Sequence, residues 1–343
     1  MDHGASLPLY VLVRVVLVPA APGALAVVAA RLAAGRARVV TRLLIIGAAL
    51  GACAAHLGLA GVPSLPPVDT IEWVPLGTAA ATLFLLPGVG RRADLAALLA
   101  VLAGTACLVG KPVWSQALAP AAMMWIAAIA VGGALAVDGL RWSTERLATA
   151  AALFPLVATL VGASLACAAG HSVLVAMMLG GIAANVGALA VGGLVLGARD
   201  CGRGLLGVWV VAGAALVLYA RLYDGLPTSV TMLLGASLVA PVAVAALPRF
   251  RGRSILAPIL AAALALGGAA VARSVAAEKE GDAMVGQDAP TSHRVVAGDE
   301  AALGQLEPHP LHHVAERRPR LGNRSGAAAP GEPRAQPIRL GRR

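Results

Sequence analysis

The sequence predicts an all-α protein, a polytopic bundle of about ten transmembrane helices with a disordered C-terminal tail. Of the 343 residues, 59% are hydrophobic and 13% are charged, and the mean hydropathy is +0.81. These values lie outside the usual range for water-soluble domains. Apolar stretches of about 20 residues, the length that crosses a hydrocarbon core, recur as far as about residue 271. Because the stretches do not alternate in polarity, they predict helices rather than the strands of a barrel.

Charged and turn residues between the apolar stretches set the predicted helix boundaries. The ten predicted spans cover residues 7–30, 43–62, 73–90, 93–110, 117–138, 147–169, 172–197, 204–222, 228–248 and 254–271. The third and fourth spans are short and contain Pro75, Pro87 and Gly88. The alternative is a re-entrant hairpin and eight spans, but it would place Arg91 and Arg92 at membrane depth or on the side that is poor in basic residues.

Basic residues divide the predicted loops into two sets, as expected for the two sides of a membrane. One set holds thirteen arginines: Arg31, Arg36, Arg38, Arg42, Arg91, Arg92, Arg141, Arg146, Arg199, Arg203, Arg249, Arg251 and Arg253. The opposite set holds only Lys111 and Arg221. The arginine-rich side is therefore predicted to be cytoplasmic, and an even number of spans places both termini outside. Abundant Ala, Gly and Arg with little Lys suggest GC-rich coding and hence the cytoplasmic (inner) membrane of a bacterium.

Tryptophans support the same orientation, with one exception. Trp73 and Trp114 lie near outer helix ends, and Trp142 and Trp209 lie near inner ends, where aromatic rings anchor helices at the interface. Trp125 lies well inside its predicted span, so interfacial anchoring does not account for it.

Residues 272–343 differ from the membrane body, which comprises residues 1–271. The tail holds 20 of the 44 charged residues, contains Pro, Gly and Ser, and shows no sustained apolar period, so it is predicted to be disordered. Its histidines are His293, His309, His312 and His313. They are scattered and have no cysteine nearby, so a disordered tail is favoured over a metal site.

The charge distribution argues against a nucleic-acid partner. The net charge is +10, but the excess lies in the membrane body, where 16 basic residues face 8 acidic ones and short arginine-containing loops are expected from membrane insertion. Aromatic residues, which accompany basic ones at single-strand-binding surfaces, make up 3% of the chain. The lipid bilayer is the partner that the composition predicts, and the sequence leaves the substrate or protein partner open.

Motifs for catalysis, cofactors and metals are missing from the sequence. The four cysteines are widely separated and form no CxxC pair, so neither a zinc knuckle nor a disulfide framework is predicted. No HExxH, P-loop or GxSxG occurs, and the eight acidic residues of the membrane body lie mostly in loops. We predict no catalytic residue, no cofactor and no metal, and an enzyme is the least favoured class.

Polar side chains within the membrane are costly and are therefore the first functional candidates. Arg14 lies in the first helix ahead of Pro19 and Pro22, so a broken helix would present a cation to a cavity. The favoured alternative is that Arg14 snorkels to the headgroups. Asn185 lies near the centre of the seventh helix among glycines. Its amide either lines a substrate path or, as we favour, bonds a neighbouring helix across a seam of small residues.

Four further side chains complete the predicted substrate path. His56 lies in the second helix toward the outer face, where a proton-relay or ligand role competes with an ordinary interfacial position. Thr78, Thr82 and Thr159 are candidates for lining a cavity at mid-membrane. Polar residues near the outer helix ends either surround an external vestibule or are ordinary interface residues: Lys111, Gln116, Tyr219, Arg221, Tyr223 and Asp224.

Two functions fit these observations. The first is a small-molecule transporter or permease, because each half of the chain holds five predicted helices and a duplicated second half would be inverted. The sequence support for a repeat consists of Leu118-Ala119-Pro120 with Gly132-Gly133, and Leu256-Ala257-Pro258 with Gly267-Gly268. The second is a non-catalytic membrane scaffold or partner subunit of a larger complex. A cavity lined by the predicted site residues would favour the transporter, and a solid bundle would favour the scaffold.

Overall fold

Helices form nearly throughout the predicted membrane body, because backbone groups in lipid must satisfy their own hydrogen bonds. The computed structural model describes residues 6–33, 35–113, 119–144, 149–170, 172–196, 203–246 and 256–287, all within one unit that covers residues 1–290. These described residues contain no strand, which confirms the all-α prediction. The predicted disorder of the tail beyond residue 287, and the tail histidines, lie outside the described residues.

The first predicted span is one continuous helical run in three parts: α1 (Ser6–Val11), a π-helical segment (Leu12–Leu17) and α2 (Val18–Leu32). The other helices are α3 (Ala37–Ala60), α4 (Trp73–Leu85), α5 (Arg91–Gly110), α6 (Ala119–Thr144), α7 (Thr149–Ala169), α8 (Val173–Leu196), α9 (Arg203–Leu222), α10 (Thr228–Ala246) and α11 (Leu256–Gln287). A 3-10 turn, Thr70–Glu72, leads into α4, and another, Lys111–Val113, follows α5.

Eight helical runs among the described residues are long and apolar enough to cross a membrane, so the protein is a multi-pass integral membrane protein. One of them is α5 with its 3-10 extension, Arg91–Val113, which counts against a re-entrant hairpin built from the third and fourth predicted spans. Helix α4 is the short member, with 13 residues, or about 20 Å at about 1.5 Å per residue. Helix α7 has 21 residues. The count of ten spans stays a prediction.

Helices α8 and α9 form the centre of the bundle. In their most apolar stretches 61% and 72% of the residues are buried, against 22% in the first and last membrane-length runs. Helix α9 contacts α3, α4, α5 and α6, and α8 contacts α2, α3 and α7. Helix α9 has helix neighbours around most of its circumference, which fits its apolar residues on every side. Helices α2 and α11 present much of their surface to lipid.

The two halves of the bundle correspond only in part. Helix α2 packs on α3 as α7 packs on α8, and α5 packs on α6 as α10 packs on α11. Helix α11, however, runs along α7, while among the described residues α6 does not run along α2. Of the repeated glycines, Gly132 and Gly267 both have open space around an added Cβ atom, whereas Gly133 faces Leu102 and Val210 and Gly268 faces Leu233.

The last helix is longer than predicted. The apolar pattern predicts an end at residue 271, but α11 continues to Gln287. Residues 272–287 include four Ala, two Glu and one each of Arg, Lys, Met and Gln, which are strong helix formers and need no apolar environment. The helix therefore extends past its membrane-length portion, which ends at Glu278.

Candidate functional site

A groove lies between α6, α7, α9 and α10, and small residues create it. Segments 125–136, 156–163, 209–217 and 231–239 of these four helices supply its lining, and its volume is about 530 Å³. We call it the α6–α10 groove. Known small-molecule sites have volumes of about 300–1,000 Å³. A Cβ atom built on Gly132 or on Gly235 would meet no atom within 4 Å, so the missing side chains at these two positions leave open space.

The groove is closed at the end of the bundle where α6 and α10 terminate, beside the arginine-rich loops. There the two helices touch, since a Cβ atom on Gly139 would lie 2.8 Å from Cγ2 of Val242. Trp142 packs against Val244 and Ala245 just beyond this contact. Helices α6 and α10 are thus held together below the groove, and we call this the closed end.

Toward the opposite end of the bundle the same two helices separate. Ala128 and Gly132 on α6, and Met232 and Gly235 on α10, line the groove and are exposed. Met232 has 66% of its surface accessible. Since α6 and α10 lie side by side in the bundle, this separation opens the groove sideways toward lipid.

The walls of the groove offer few polar atoms, and those present are already engaged. Thr159 Oγ1 lies 2.9 Å from the carbonyl oxygen of Pro155, to which it donates, and 2.8 Å from Oγ of Ser237 on α10. Ser237 Oγ in turn lies 2.8 Å from the Leu234 carbonyl oxygen. Thr231 Oγ1 donates to the Pro227 carbonyl oxygen over 3.3 Å. These hydroxyls stabilise the helices and leave a nearly apolar surface.

Arg221 lies at the open end of the groove. Val217, one turn earlier on the same face of α9, lines the groove, as does Trp125. The Arg221 Cζ atom lies 5.3 Å from the centre of the Trp125 ring, within the range of a cation–π interaction. Nη1 donates to the Leu226 carbonyl oxygen and Nη2 to Thr228 Oγ1, each over 3.0 Å. The guanidinium is therefore held over the mouth of the groove by α9, α6 and the α9–α10 turn.

Of the six predicted path residues, Thr159 lines the groove and the other five lie elsewhere. Asn185 is fully buried where α2, α3, α8 and α9 meet. Its Nδ2 donates to the carbonyl oxygens of Pro19 (3.0 Å) and Gly47 (3.4 Å), and its Oδ1 accepts from Nε1 of Trp209 over 3.1 Å. A Cβ atom on Gly51 would overlap the amide. Asn185 thus bonds across a seam of small residues.

Arg14 is exposed and lies in the π-helical segment of the first run. Its Nη1 donates over 3.0 Å to the carbonyl oxygen of Gly58, which is among the last four of α3 and has no partner within that helix. Its Cζ lies 5.5 Å from the Tyr10 ring centre. A cation at a helix C-terminus is favourable, so Arg14 reaches along the surface of the bundle to the end of α3.

His56, Thr78 and Thr82 also lie away from the groove. His56 is buried on α3, and its Nδ1 has no hydrogen-bond partner among the described residues. Thr78 and Thr82 each donate over 2.8 Å to the carbonyl oxygen four residues earlier in α4. These two threonines therefore serve their own helix.

Trp125 and Thr231 line the groove although the sequence does not single them out as path residues. Arg221 at the mouth and Ser237, which bonds Thr159, lie beside the lining and are likewise not among the predicted path residues. Arg221 was grouped with the outer polar residues, and Trp125 was the one tryptophan that interfacial anchoring did not explain. Within that outer group Tyr223 donates over 2.8 Å to the Val109 carbonyl oxygen, which ties the end of α9 to α5. Gln116 lies outside the described residues.

Comparison with known proteins adds no assignment. The sequence matches no protein-family model, no curated protein and no solved structure. The function must therefore be argued from the geometry.

Proposed function

We propose that this protein is a small-molecule transporter or permease of the bacterial cytoplasmic membrane, and that the α6–α10 groove is its substrate path. The observation that carries the proposal is a membrane-embedded cavity that is closed at one end and open at the other. Carriers that work by alternating access place their substrate site near mid-membrane and open it to one side at a time. The groove is closed at Gly139 and Val242, beside the arginine-rich end, and open sideways toward lipid at Gly132 and Gly235. This arrangement supports a state in which the path is accessible from the other half of the membrane only.

Helix α10 contains the feature that such a motion needs. Pro241 lies inside the helix, where a proline removes the backbone hydrogen bond to the carbonyl four residues earlier and permits a bend. Pro241 separates the part of α10 that lines the groove from Val242, which contacts α6. A change of bend at Pro241 would bring Gly235 toward Gly132 and release the contact at the closed end.

The second candidate is a membrane scaffold or partner subunit, and one observation favours it. Small exposed residues on α6 and α10, Ala128, Gly132, Gly235 and Ala236, are of the kind that lets another transmembrane helix approach closely. In that case the groove would be filled by a helix of a partner, and α6 and α10 would keep one arrangement.

Paired cysteines distinguish the two candidates. In full-length protein whose four native cysteines are replaced by alanine, one variant carries Gly139→Cys with Val242→Cys, and another carries Gly132→Cys with Gly235→Cys. After reconstitution into liposomes, a transporter should populate two states. In one state the Gly139→Cys and Val242→Cys pair should cross-link. In the other state a short bifunctional reagent should cross-link the Gly132→Cys and Gly235→Cys pair. A variant with Val27→Cys and Gly192→Cys joins α2 to α8, which are in contact, and should cross-link under all conditions.

The transporter proposal fails if the Gly132–Gly235 pair never cross-links while the Val27–Gly192 pair does. Failure would indicate a static bundle and favour the scaffold. The orientation is tested separately with reporter fusions. Alkaline phosphatase joined after residue 225 should be active outside the cytoplasm, and green fluorescent protein joined after residue 42 should fluoresce inside. The opposite result would invert the proposed topology but leave the groove in place.

A further inference from the structure

We infer that the α6–α10 groove binds an amphipathic organic anion with a single apolar chain, with the anionic head at Arg221 and the chain along the groove. The inference deepens the proposed function, on which it rests for the use of the groove as a substrate path. Its evidence is the charge at the groove mouth, the polarity of the walls and the direction in which the groove opens.

Among the described residues, no anionic group pairs with the charge at the groove mouth. A guanidinium has five N–H donors, and the two protein bonds of Arg221 use one on each Nη atom. The Nε atom is buried and has no hydrogen-bond partner among the described residues, and no carboxylate of those residues forms an ion pair with Arg221. The nearest acid in sequence, Asp224, instead accepts a hydrogen bond from Ser172. An anion arriving at this position would supply the missing counter-charge.

Arg221 is also fixed in position before any ligand arrives. Its bonds to Leu226 and Thr228 and its stacking over Trp125 hold the guanidinium where the groove begins. Arginine binds carboxylate and phosphate oxygens through charge-assisted bonds. Holding the side chain in place reduces the entropy that binding would otherwise lose. Arg14 differs, because it is exposed and lies over Tyr10, which does not line the groove, whereas Arg221 lies over Trp125, which does.

The walls exclude strongly polar ligands. The hydroxyls of Thr159 and Thr231 already donate to carbonyl oxygens of their own helices, and the remaining lining is Gly, Ala, Val, Leu, Ile, Met and Trp. A sugar or an amino acid would lose its hydrogen bonds to water in this groove and gain few in return. An alkyl chain forms no hydrogen bonds and therefore loses none on entering the groove.

The groove opens sideways toward lipid, in which a single-chain amphiphile would be dissolved. Ala128, Gly132, Met232 and Gly235 border the sideways opening between α6 and α10. A single-chain amphiphile dissolved in the membrane already has its chain in the hydrocarbon and its head at the interface. It would reach Arg221 and the groove together, without passing through water.

The test uses the purified full-length chain in nanodiscs of zwitterionic lipid and dibromostearate as the probe, because bromine quenches tryptophan fluorescence on contact. We expect saturable quenching by the carboxylate, weaker quenching by dibromostearate methyl ester, and competition by stearate but not by octadecylamine. Arg221→Gln should weaken binding by at least about tenfold, as expected for the loss of a charge-assisted contact, and Arg221→Lys should weaken it less. Gly235→Phe should abolish binding by filling the groove.

Controls separate binding from misfolding. Arg14→Gln removes another arginine near the same end of the bundle, and Gly267→Phe adds a large side chain at a glycine of α11 that likewise has open space. Both should bind the probe as the parent does. Trp125→Phe should reduce the quenching amplitude while leaving the affinity within about threefold, since an aromatic face remains beside Arg221.

Several outcomes would overturn the inference. Equal quenching by the methyl ester or by an octadecylamine analogue would show that Arg221 does not select charge. Equal competition by a two-chain anionic phospholipid would replace the single-chain ligand with a bilayer lipid. A dimer that Gly235→Phe disrupts, with no probe binding, would show that the groove is filled by a second copy. Because the cysteine-pair experiment needs no ligand, it can succeed when this test fails, so the two proposals are separately decided.

Discussion

The seam around Asn185 and the α6–α10 groove are both built from glycines, yet one is dry and the other is open. In the seam, Gly51 and Gly23 lie against the Asn185 amide, and a Cβ atom at either position would press on it. In the groove, Gly132 and Gly235 face nothing within 4 Å. The same residue therefore provides close helix packing in one region and empty volume in the other. The difference depends on what the neighbouring helix places opposite the glycine, not on the glycine.

The largest expected effect comes from making the same substitution in both regions. Gly51→Ala should destabilise the protein by about 3 kcal/mol, since the added methyl group overlaps a hydrogen-bonded amide that cannot withdraw. Gly235→Ala should be neutral or stabilise by up to about 1 kcal/mol, because alanine favours the helix and no atom opposes it. Unfolding by sodium dodecyl sulfate in mixed micelles measures both. Equal losses would show that the groove is as tightly packed as the seam.

Removing the polar link in each region should give a smaller difference in lost stability between the seam and the groove. Asn185→Ala loses three hydrogen bonds and leaves the buried Trp209 N–H without its acceptor. We expect a loss of about 2 kcal/mol. Thr159→Val removes the link to Ser237 on α10 and the bond to the Pro155 carbonyl oxygen within α7, and it should lower stability by less than about 1 kcal/mol. The same micelle titration measures the loss of stability of both variants. A larger loss for Thr159→Val would show that the polar link in the groove contributes more to stability than the one in the seam.

Arg14, at an exposed position on the bundle, extends the comparison to a polar contact outside both regions. Arg14→Gln removes the charge that pairs with the end of α3 and should cost about 0.5 kcal/mol, the usual size of a helix-terminus contact at an exposed site. The loss should shrink as salt is raised. A loss above about 2 kcal/mol, or one that is independent of salt, would show that Arg14 has a buried role that its exposure does not indicate.

The smallest expected effect concerns the loop ahead of α4, outside the membrane-spanning segments. Hydrogen bonds from Ser64 Oγ (2.6 Å) and the Val68 amide (2.8 Å) hold the pKa of Glu72 below its ordinary value. The contribution of Glu72 to local stability is therefore complete above the ordinary Glu pKa and disappears as the pH falls through the lowered pKa of the folded state. The protection factor of the Val68 amide, which compares its exchange rate with the intrinsic rate at the same pH, should fall in that acidic range, and Glu72→Gln should remove this pH dependence.

Part of the candidate site follows from the sequence. Thr159, one of the predicted path residues, lies in the lining of the groove, and the sequence already shows that interfacial anchoring does not account for Trp125. Asn185 makes the interhelical bonds that the sequence favoured over a path role. Arg221 could not be ranked above Lys111 or Asp224, because its importance depends on which carboxylates lie nearby. That information belongs to the packing of α9 against α6 and the α9–α10 turn.

The sequence by itself determines that this chain lies in a membrane, that it is helical and where most of its helices begin and end. These properties follow from the transfer energy of each residue and from the backbone hydrogen bonds that lipid cannot supply. Only the tertiary structure decides where α6 and α10 touch, where they separate and which cation faces the opening. A cavity forms where the surfaces of neighbouring helices do not fit together, so the sequence of one helix does not determine it.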